Sequence, residues 1–301
     1  MYIVIQIFQT LFYLIYCYLE AVIRFFVPVK KKSFAGTIVL VTGAGHGIGK
    51  ELAMKFSEVG ARLILWDINK RQVEEVEQTI RKSRHKDDAA KSYVCDVSKV
   101  ENIKATAAKM RREVGEVEVL VNNAGILHGG SLLEMSEEDI KRTFDVNILA
   151  YIWTCREFLP YMVRRNEGHI VNMASMSAQT GVAYLTEYSA SKYAVRGFTE
   201  ALKDEMRREG HTGINFTTVY PMFVATGMTK YTVGIGVEWL TPAQVAIAVV
   251  EGAQMNETSV FIPSWYRGLL KISSLWPSKF KENPNELMYK GINPQYKERN
   301  D

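Results

Sequence analysis

Short apolar runs alternate with longer stretches of helical periodicity along most of this chain. From Gly36 onward the apolar runs are rich in β-branched residues, which favour strands. Their near-continuous apolar character indicates a parallel sheet covered by helices on both faces. The pattern therefore predicts one α/β domain over 36–263, doubly wound and of Rossmann type. The predicted strands are 37–42, 62–67, 92–96, 117–122, 169–174, 214–220 and 259–262.

Helical periodicity fills the intervals between these strands. Thr241 followed by Pro242 is typical of a helix N-terminus, with threonine as the N-cap and proline in the first turn. The pattern runs without a break between the first strand and the last, so no second domain is expected inside it. The predicted helices cover 49–59, the residues up to about 84, those up to about 113, 136–164, 188–209 and 241–254.

The amino-terminal 29 residues follow a different pattern. Residues 2–19 contain no charged side chain, and Lys30, Lys31 and Lys32 come directly after this segment. A cleaved signal peptide is not favoured, because the apolar run has no basic residue before it and no small-residue cleavage site after it. Placed at about 100° per residue, the polar side chains form one narrow stripe. The stripe consists of Gln6, Gln9, Thr10, Tyr13, Cys17, Glu20 and Arg24.

A narrow polar stripe favours a helix that lies in a lipid interface over one that spans a bilayer, although both arrangements stay open. Either arrangement places the following domain on the cytosolic side, as the three lysines indicate for a spanning helix. The expected organisation is thus an anchoring helix over 1–29, a basic linker over 30–35 and the α/β domain. Residues 264–301 would form an amphipathic extension, either docked on the core or inserted in lipid.

Composition and charge exclude several classes of protein. The 301 residues are 47% hydrophobic and 23% charged, which is typical of a globular chain. A net charge of +4 with no basic stripe gives no reason to expect nucleic acid as a partner. The three cysteines show no paired spacing, so neither a disulfide scaffold nor a zinc ribbon is expected.

A glycine-rich turn follows the first predicted strand. Residues 42–49 read Thr-Gly-Ala-Gly-His-Gly-Ile-Gly and lead directly into a helix. Glycines let the backbone approach a pyrophosphate, and the helix N-terminus offers free N–H groups to it. The alternative is a purely structural turn. The position between the first strand and a helix favours dinucleotide binding.

Two aspartates end the next two predicted strands. Asp67 is placed to accept hydrogen bonds from the adenine ribose hydroxyls and to repel a 2′-phosphate, which favours NAD over NADP. Lys70 and Arg71 lie close by and weaken that preference, and a helix N-cap is the alternative role for Asp67. Asp96 is expected either to meet the adenine amino group or to cap a helix.

Tyr188 and Lys192 lie one helical turn apart and share a helix face. A nearby ammonium together with an oxidised nicotinamide would lower the pKa of the phenol, so that Tyr188 could exchange a proton with a substrate oxygen. Ser175 follows the fifth strand and is expected to hydrogen-bond that oxygen, with Ser177 as a rival. Asn147 lies inside a predicted helix, where a polar role such as holding a water near Lys192 is plausible.

These motifs, in this order and spacing, resemble the short-chain dehydrogenase/reductase superfamily over about 36–263. The resemblance implies a sheet of seven strands in the order 3-2-1-4-5-6-7, NAD as cofactor, and a homodimer formed through the helices at about 136–164 and 188–209. It also implies a catalytic tetrad of Asn147, Ser175, Tyr188 and Lys192, and hydride transfer without a metal. The implied cofactor contacts are Gly43, Gly45, His46, Gly47, Ile48, Gly49, Asp67, Asp96, Val97, Asn123, Ala124, Gly125, Tyr188, Lys192, Pro221, Val224 and Thr226. Pro221 is followed by Met222 where the family usually has glycine.

A narrower resemblance rests on residues 42–49, on 65–70 and on the lipophilic leader. These segments are similar to the group of 17β-hydroxysteroid dehydrogenases types 11 and 13 and membrane retinol dehydrogenases. That group implies oxidation of steroid, retinol or other lipid alcohols at the endoplasmic reticulum and lipid droplets. An all-trans-retinol dehydrogenase is the first alternative, and a lipid-droplet scaffold protein is the alternative from another class.

The substrate side is expected to be apolar. Residues 222–240 combine large apolar side chains with three glycines, which is typical of a hydrophobic lid, although an ordinary surface loop is the alternative. Tyr184 and Leu185 are expected to extend the pocket wall.

Overall fold

The computed structural model describes residues 2–27, 30–227, 239–273 and 275–277. The chain forms two compact units, residues 1–32 and residues 33–301. The second unit is a single α/β domain of Rossmann type.

The described part of the second unit contains one sheet of seven parallel strands. The strands are β1 Ile38–Thr42, β2 Arg62–Asp67, β3 Ala90–Val94, β4 Val119–Asn122, β5 Gly168–Met173, β6 Ile214–Pro221 and β7 Ser259–Ile262. Their order in the sheet is β3-β2-β1-β4-β5-β6-β7, which confirms the order implied by the family resemblance. The direction of strand addition reverses between β1 and β4, and open parallel sheets bind ligands at such a switch point.

Helices cover both faces of this sheet because its strands are apolar on both sides. The helices are α1 Tyr2–Phe26, α2 Gly47–Glu58, α3 Lys70–Arg84, α4 Val100–Glu113, α5 Glu137–Phe144, α6 Ala150–Arg165, α7 Thr186–Arg208, α8 Pro242–Gln254 and α9 Tyr266–Ser273. Val39 and Val41 of β1 belong to the core cluster under α2, α3 and α8, whereas Leu40 belongs to the cluster under α4, α6 and α7. Thr241 forms a capping box with Gln244, as predicted for the start of α8.

Two differences from the predicted elements concern the candidate site. The third strand ends at Val94, which pairs with Asp67, so Asp96 lies in the loop beyond the strand rather than at its end. The predicted helix over 136–164 is interrupted by one π-helical turn, Asp145–Leu149, between α5 and α6. Such turns occur often at functional sites, and this one carries Asn147.

A buried polar ladder connects the middle of the sheet to two helices. The Asn122 side chain donates to Asn172 Oδ1 (2.9 Å) across the β4–β5 pair and accepts from Thr154 Oγ1 (2.7 Å) on α6. Asn172 in turn donates to Thr199 Oγ1 (2.8 Å) on α7. All four side chains are at most 3% exposed, so each polar group depends on these partners. The ladder therefore fixes α6 and α7 on the same pair of strands.

The amino-terminal unit contains α1, a helix of 25 residues. Many of its large apolar side chains are exposed, Phe8 by 69% and Phe12 by 76%. None of the helices in the described residues is both long and apolar enough to cross a membrane. In the second unit, α9 buries none of its side chains.

Candidate active site

The glycine-rich turn joins β1 to α2 at the switch point of the sheet. His46 is the N-cap of α2, but no side chain caps the first N–H groups of this helix. The helices α3, α5 and α8 differ, because Asn69, Ser136 and Thr241 each accept a hydrogen bond there. The open N-terminus of α2 is therefore free to bind an anion with its own N–H groups. Gly43, Gly45, His46, Gly47, Ile48 and Gly49 all lie on this turn or in the first turn of α2.

Two glycines of the turn leave no space for a side chain. A Cβ on Gly49 would lie 1.9 Å from the Gly43 carbonyl oxygen and 2.6 Å from Asn123 Nδ2. Gly43 has φ +65°, and a Cβ there would lie 2.9 Å from the Ala124 Cα. Both contacts are with backbone, so the turn could not relax around a larger residue. This bare cradle fits the pyrophosphate of a dinucleotide.

Hydrogen bonds unite the turn after β1 with the segment after β4. Thr42 Oγ1 accepts from the backbone N–H of Asn123 (3.0 Å) and of Ala124 (3.1 Å). Asn123 Nδ2 donates to the carbonyls of Thr42 (2.9 Å) and Gly43 (3.2 Å). Residues 122–125 were predicted to line the cofactor, and the structure places them beside the glycine-rich turn.

Asp67 reaches this turn from the end of β2. Its carboxylate accepts from Gly45 N (2.8 Å) and from Asn69 N (2.8 Å), and the residue is 6% exposed. The N-cap of α3 is Asn69, so Asp67 does not have the capping role that was its alternative. Lys70 and Arg71 pair with Glu74 and Glu75 on the exposed face of α3. A carboxylate has about four acceptor positions, so Asp67 retains some for ribose hydroxyls.

Asp96 and Val97 lie in the loop after β3. Asp96 accepts from the backbone N–H (3.0 Å) and the hydroxyl (2.6 Å) of Ser98, which gives it a local role in the turn before α4. The N-cap of α4 is Lys99, so Asp96 does not cap this helix itself. Val97 is 8% exposed and belongs to the core, so its side chain is not available to a ligand.

Tyr188 lies in the first turn of α7 and forms a side-chain hydrogen bond with Ser175. Ser175 also accepts from Ser177 N (3.1 Å), as the N-cap of a short 3₁₀ turn that follows β5. Ser177 is 5% exposed and its hydroxyl has no hydrogen-bond partner in the described structure. Between the two serines that the sequence leaves open, Ser175 is thus the one that reaches Tyr188.

Lys192 lies one turn further along α7 and is 3% exposed. Its Nζ donates to the carbonyl of Met173 (2.8 Å), the last residue of β5. The same Nζ lies 5.7 Å from the ring centroid of Tyr188 and 5.5 Å from that of Tyr151 on α6. Lys192 forms no ion pair with a carboxylate in the described part of the chain.

Burial dominates the titration of both residues. It lowers the pKa of Lys192 to about 7. It also raises the pKa of Tyr188 to about 12, with the hydrogen bond from Ser175 opposing the shift and the charge of Glu187 adding to it. The lowered tyrosine pKa was expected from the ammonium together with an oxidised nicotinamide, and the protein's own groups do not produce it, because burial of the phenol outweighs the hydrogen bond from Ser175.

Asn147 is completely buried in the π-helical turn. Its Oδ1 accepts from Ile126 N (2.8 Å), and its Nδ2 donates to the Ile126 carbonyl (2.9 Å) and to Ser191 Oγ (3.1 Å). A Cβ on Gly125 would lie 3.4 Å from Asn147 Oδ1 and 3.6 Å from Lys192 Nζ. Asn147, Gly125 and Lys192 therefore meet at one point, and the side chain of Asn147 is used to hold the 126 backbone.

The segment after β6 approaches the same edge of the sheet. Pro221 ends β6 opposite Ile262, and Val224 is 5% exposed and bridged to Leu240. Thr226 comes close to the glycine-rich turn, since a Cβ on Gly47 would lie 3.6 Å from its Cγ2. Most of the predicted lid, residues 228–238, and the tail beyond 277 lie outside the described residues.

Sequence reasoning missed two side chains that belong to this cluster. Tyr151 follows Asn147 by four residues, and this helical spacing was a signal that could have indicated it. Glu187 precedes Tyr188, is 3% exposed and accepts from Gly129 N (3.2 Å), while its second carboxylate oxygen has no partner in the described structure. No periodicity marks Glu187, because its environment depends on a distant loop.

Comparisons with known proteins agree with this geometry. The family described as short chain dehydrogenase matches residues 37–233. The chain is 39% identical to the 17-beta-hydroxysteroid dehydrogenase 13 of Homo sapiens, over 92% of this chain and 91% of the relative. It is 40% identical to the estradiol 17-beta-dehydrogenase 11 of Mus musculus, over 87% of both chains.

Solved structures give the same fold. A short chain dehydrogenase/reductase from Burkholderia phymatum in complex with NAD has a TM-score of 0.73 and 25% identity, over 81% of this chain and 94% of that one. A metagenomic short-chain oxidoreductase in complex with NADP has a TM-score of 0.64 and 29% identity, over 76% of this chain and 96% of that one. The similar structures thus include both nicotinamide cofactors.

Proposed function

Because the chain belongs to the short-chain dehydrogenase family, we propose that it is an NAD-dependent dehydrogenase that oxidises a hydroxyl group of a lipophilic alcohol. One observation carries the proposal: Tyr188, hydrogen-bonded to Ser175 and followed by the buried Lys192, lies at the sheet edge that also bears the glycine-rich turn. This arrangement combines a proton-transfer group with a dinucleotide cradle. The relatives whose names contain hydroxysteroid and estradiol dehydrogenase support an alcohol substrate.

Each side chain of the cluster has a distinct role in the proposal. Tyr188 accepts the proton of the substrate hydroxyl in oxidation and returns it in reduction. Ser175 donates to the same oxygen and stabilises the phenolate. Lys192 places positive charge beside Tyr188, and Asn147 holds the backbone at 126. A nicotinamide, when bound, supplies the hydride acceptor.

The proposed cofactor contacts start from the glycine-rich turn between β1 and α2. The N–H groups at the start of α2 bind the pyrophosphate, and Asp67 binds the adenine ribose. Asn123, Ala124, Gly125, Pro221, Val224 and Thr226 line the nicotinamide side, and Asp96 and the main chain of Val97 line the adenine side. NAD is the preferred cofactor because the carboxylate of Asp67 repels a 2′-phosphate.

The location and assembly are part of the same proposal. The exposed apolar side chains of α1 support attachment of residues 1–29 to a phospholipid surface, at the endoplasmic reticulum and lipid droplets, with the α/β domain in the cytosol. Attachment there gives the enzyme direct access to a lipophilic alcohol or ketone. A homodimer is proposed from the family resemblance.

Production of NADH by the full chain on phospholipid-coated droplets tests this function. Estradiol, retinol and long-chain alcohols would each be supplied with NAD or NADP. We expect turnover with at least one lipophilic alcohol, faster with NAD than with NADP. Tight NADH binding without turnover of any alcohol would contradict the proposed activity.

Replacing Asp67 by asparagine is expected to remove the preference for NAD. The amide still accepts the hydrogen bond from Gly45, but the charge that repels a 2′-phosphate is lost. Repulsion between two close charges near a protein surface is worth about 1–4 kcal/mol, so the ratio of kcat/KM for NADP to that for NAD should rise about 5-fold or more. Steady-state kinetics with both cofactors measures the ratio.

The matched control for this change is Asp96→Asn, which alters the aspartate in the loop after the adjacent strand. Its carboxylate bonds Ser98 in a local turn. The cofactor ratio of this variant should stay near that of the unmodified protein. An unchanged ratio for Asp67→Asn would contradict the role of Asp67.

Replacing Glu187 by glutamine is expected to move the pH profile of oxidation to lower pH. The carboxylate raises the pKa of Tyr188, so its removal lowers that pKa and makes the phenolate available at lower pH. A displacement of the acidic limb by about 0.5–1 unit is expected for one neighbouring charge. The pH dependence of kcat measures it.

An exposed glutamate on the same helix provides the control. Glu205→Gln also removes one negative charge from α7, but at an exposed position far along the helix from Tyr188. This variant should leave the pH profile of kcat unchanged. A profile that moves equally in both variants would show a general charge effect and would refute the specific role of Glu187.

A further inference from the structure

The ammonium of Lys192 is buried without a carboxylate partner in the described residues. A buried charge requires compensation, and most buried lysines obtain it from an acidic side chain. Here the compensation comes from one carbonyl, that of Met173, and from two aromatic rings. Tyr188 supplies one ring and is itself part of the proposed chemistry, whereas Tyr151 supplies the other.

Tyr151 contacts this group in two ways. The Lys192 Nζ lies over its ring at 5.5 Å from the centroid, within the roughly 6 Å range of cation–π attraction. Its hydroxyl is directed at the Met173 carbonyl at 3.4 Å, the same oxygen that accepts from Lys192. Tyr151 is 1% exposed, so its ring has a fixed position.

We propose that Tyr151 is a positioning residue that holds the Lys192 side chain in its charged form through the face of its ring. This inference rests on the proposed function, because it assigns to Tyr151 the maintenance of the charge beside Tyr188. A carboxylate in the same place would also stabilise the ammonium, but it would cancel the positive potential at Tyr188. An aromatic face stabilises the cation without adding a negative charge.

The groups that face the Lys192 ammonium come from several elements. Tyr188 belongs to its own helix, Tyr151 to α6, Met173 to β5, and Gly125 with Asn147 to the segments after β4 and α5. Glu187 is the charged residue next to Tyr188, and burial is the cause of the lowered pKa of Lys192. Tyr151 therefore acts on a lysine that is close to losing its proton, so a modest attraction decides its charge.

A double-mutant cycle on the full chain tests the inference without relying on turnover. The variants are Tyr151→Leu, Lys192→Met and the pair, compared by urea unfolding at about pH 6 and about pH 9, on either side of the pKa of Lys192. At the lower pH the folded protein contains the ammonium. Tyr151→Leu should then change the folding equilibrium about 2- to 30-fold more with Lys192 present than in the Lys192→Met background.

At the higher pH, Tyr151→Leu should change the folding equilibrium equally with and without Lys192, because the lysine is neutral in the folded protein. Equal losses in both backgrounds at both pH values would overturn the proposal and leave Tyr151 as a packing residue. Phe158→Leu is the matched control on α6, since its ring faces Arg111, which stays charged throughout. The loss of stability caused by Phe158→Leu should not depend on pH over this range.

Ring substitutions keep the test decisive if Tyr151→Leu does not fold. Tyr151→Phe retains the ring face and should keep the coupling, whereas pentafluorophenylalanine at 151 keeps the volume and reverses the ring quadrupole, so it should remove the coupling. Equal coupling in these two proteins would overturn the proposal.

Turnover separates this inference from the proposed function. Tyr151→Leu should lower kcat about 10-fold, while Tyr151→Phe stays within about 3-fold, because only the leucine variant loses the cation–π contact with Lys192. If the protein has no dehydrogenase activity, the unfolding cycle still reports the Tyr151–Lys192 interaction.

Discussion

Replacing Tyr188 by phenylalanine should lower kcat for alcohol oxidation by about 10²- to 10⁴-fold, the usual contribution of a positioned acid or base. The hydroxyl is the group that forms the hydrogen bond with Ser175, and phenylalanine has no proton to exchange with a substrate oxygen. The ring remains, so the face presented to Lys192 is preserved. Single-turnover measurement of NADH formation with a lipid alcohol checks the prediction.

The effect should be on kcat and not on cofactor binding. NADH binding, followed by fluorescence titration, should stay within about 3-fold because the glycine-rich turn is untouched. Tyr193→Phe provides the control, since this tyrosine lies on the same helix and is 41% exposed. If Tyr188→Phe retained most of its activity, proton transfer by Tyr188 would be ruled out.

Replacing Gly49 by alanine should weaken NADH binding about 10- to 100-fold and reduce stability by about 1–3 kcal/mol, a range typical of overpacking a close-packed site. The added methyl carbon would overlap the Gly43 carbonyl oxygen at 1.9 Å. The turn must move to accommodate it, and its N–H groups then no longer converge on one anion. Fluorescence titration and urea unfolding measure the two effects.

Gly197→Ala is the matched control for this change. Gly197 lies in α7, is exposed, and a Cβ there would have no neighbour within 4 Å. This variant should gain up to about 1 kcal/mol of stability from helix propensity and should bind NADH normally. Normal NADH binding by Gly49→Ala would show that the close approach at this turn does not serve the cofactor.

The strands of the sheet were predictable from the sequence because each strand is marked by residues that are adjacent along the chain. Continuous apolar runs mark each strand, and the predicted bounds are displaced by at most two residues. Both ends of β3 are displaced by two, because β3 is an edge strand whose register is set by pairing with β2. The π-helical turn at Asn147 was not predictable in this way. Its residues fit an ordinary helix pattern, and the interruption depends on the distant backbone of Ile126.

The candidate site was predictable where the spacing of residues along the chain determines their relative positions in the structure. Tyr188 and Lys192 share a helix face because they are one turn apart, and the glycines follow a strand. The direction of the Tyr188 pKa was not predictable, since it depends on burial and on Glu187. The roles of Asp67 toward Gly45 and of Tyr151 toward Lys192 likewise arise from contacts between separate elements.

The polar ladder of Asn122, Asn172, Thr154 and Thr199 has a consequence for how this protein can change its substrate. Thr154 lies one turn beyond Tyr151 on α6, and Thr199 lies two turns beyond Lys192 on α7. A slide of either helix by a single residue, about 1.5 Å, would break the ladder. The distance between the ring of Tyr151 and the ammonium is thus fixed by the main-chain register of α6 and α7 on the sheet, and not by the segment after β6. That outer segment can therefore change in sequence while the spacing between Tyr151 and Lys192 is inherited unchanged.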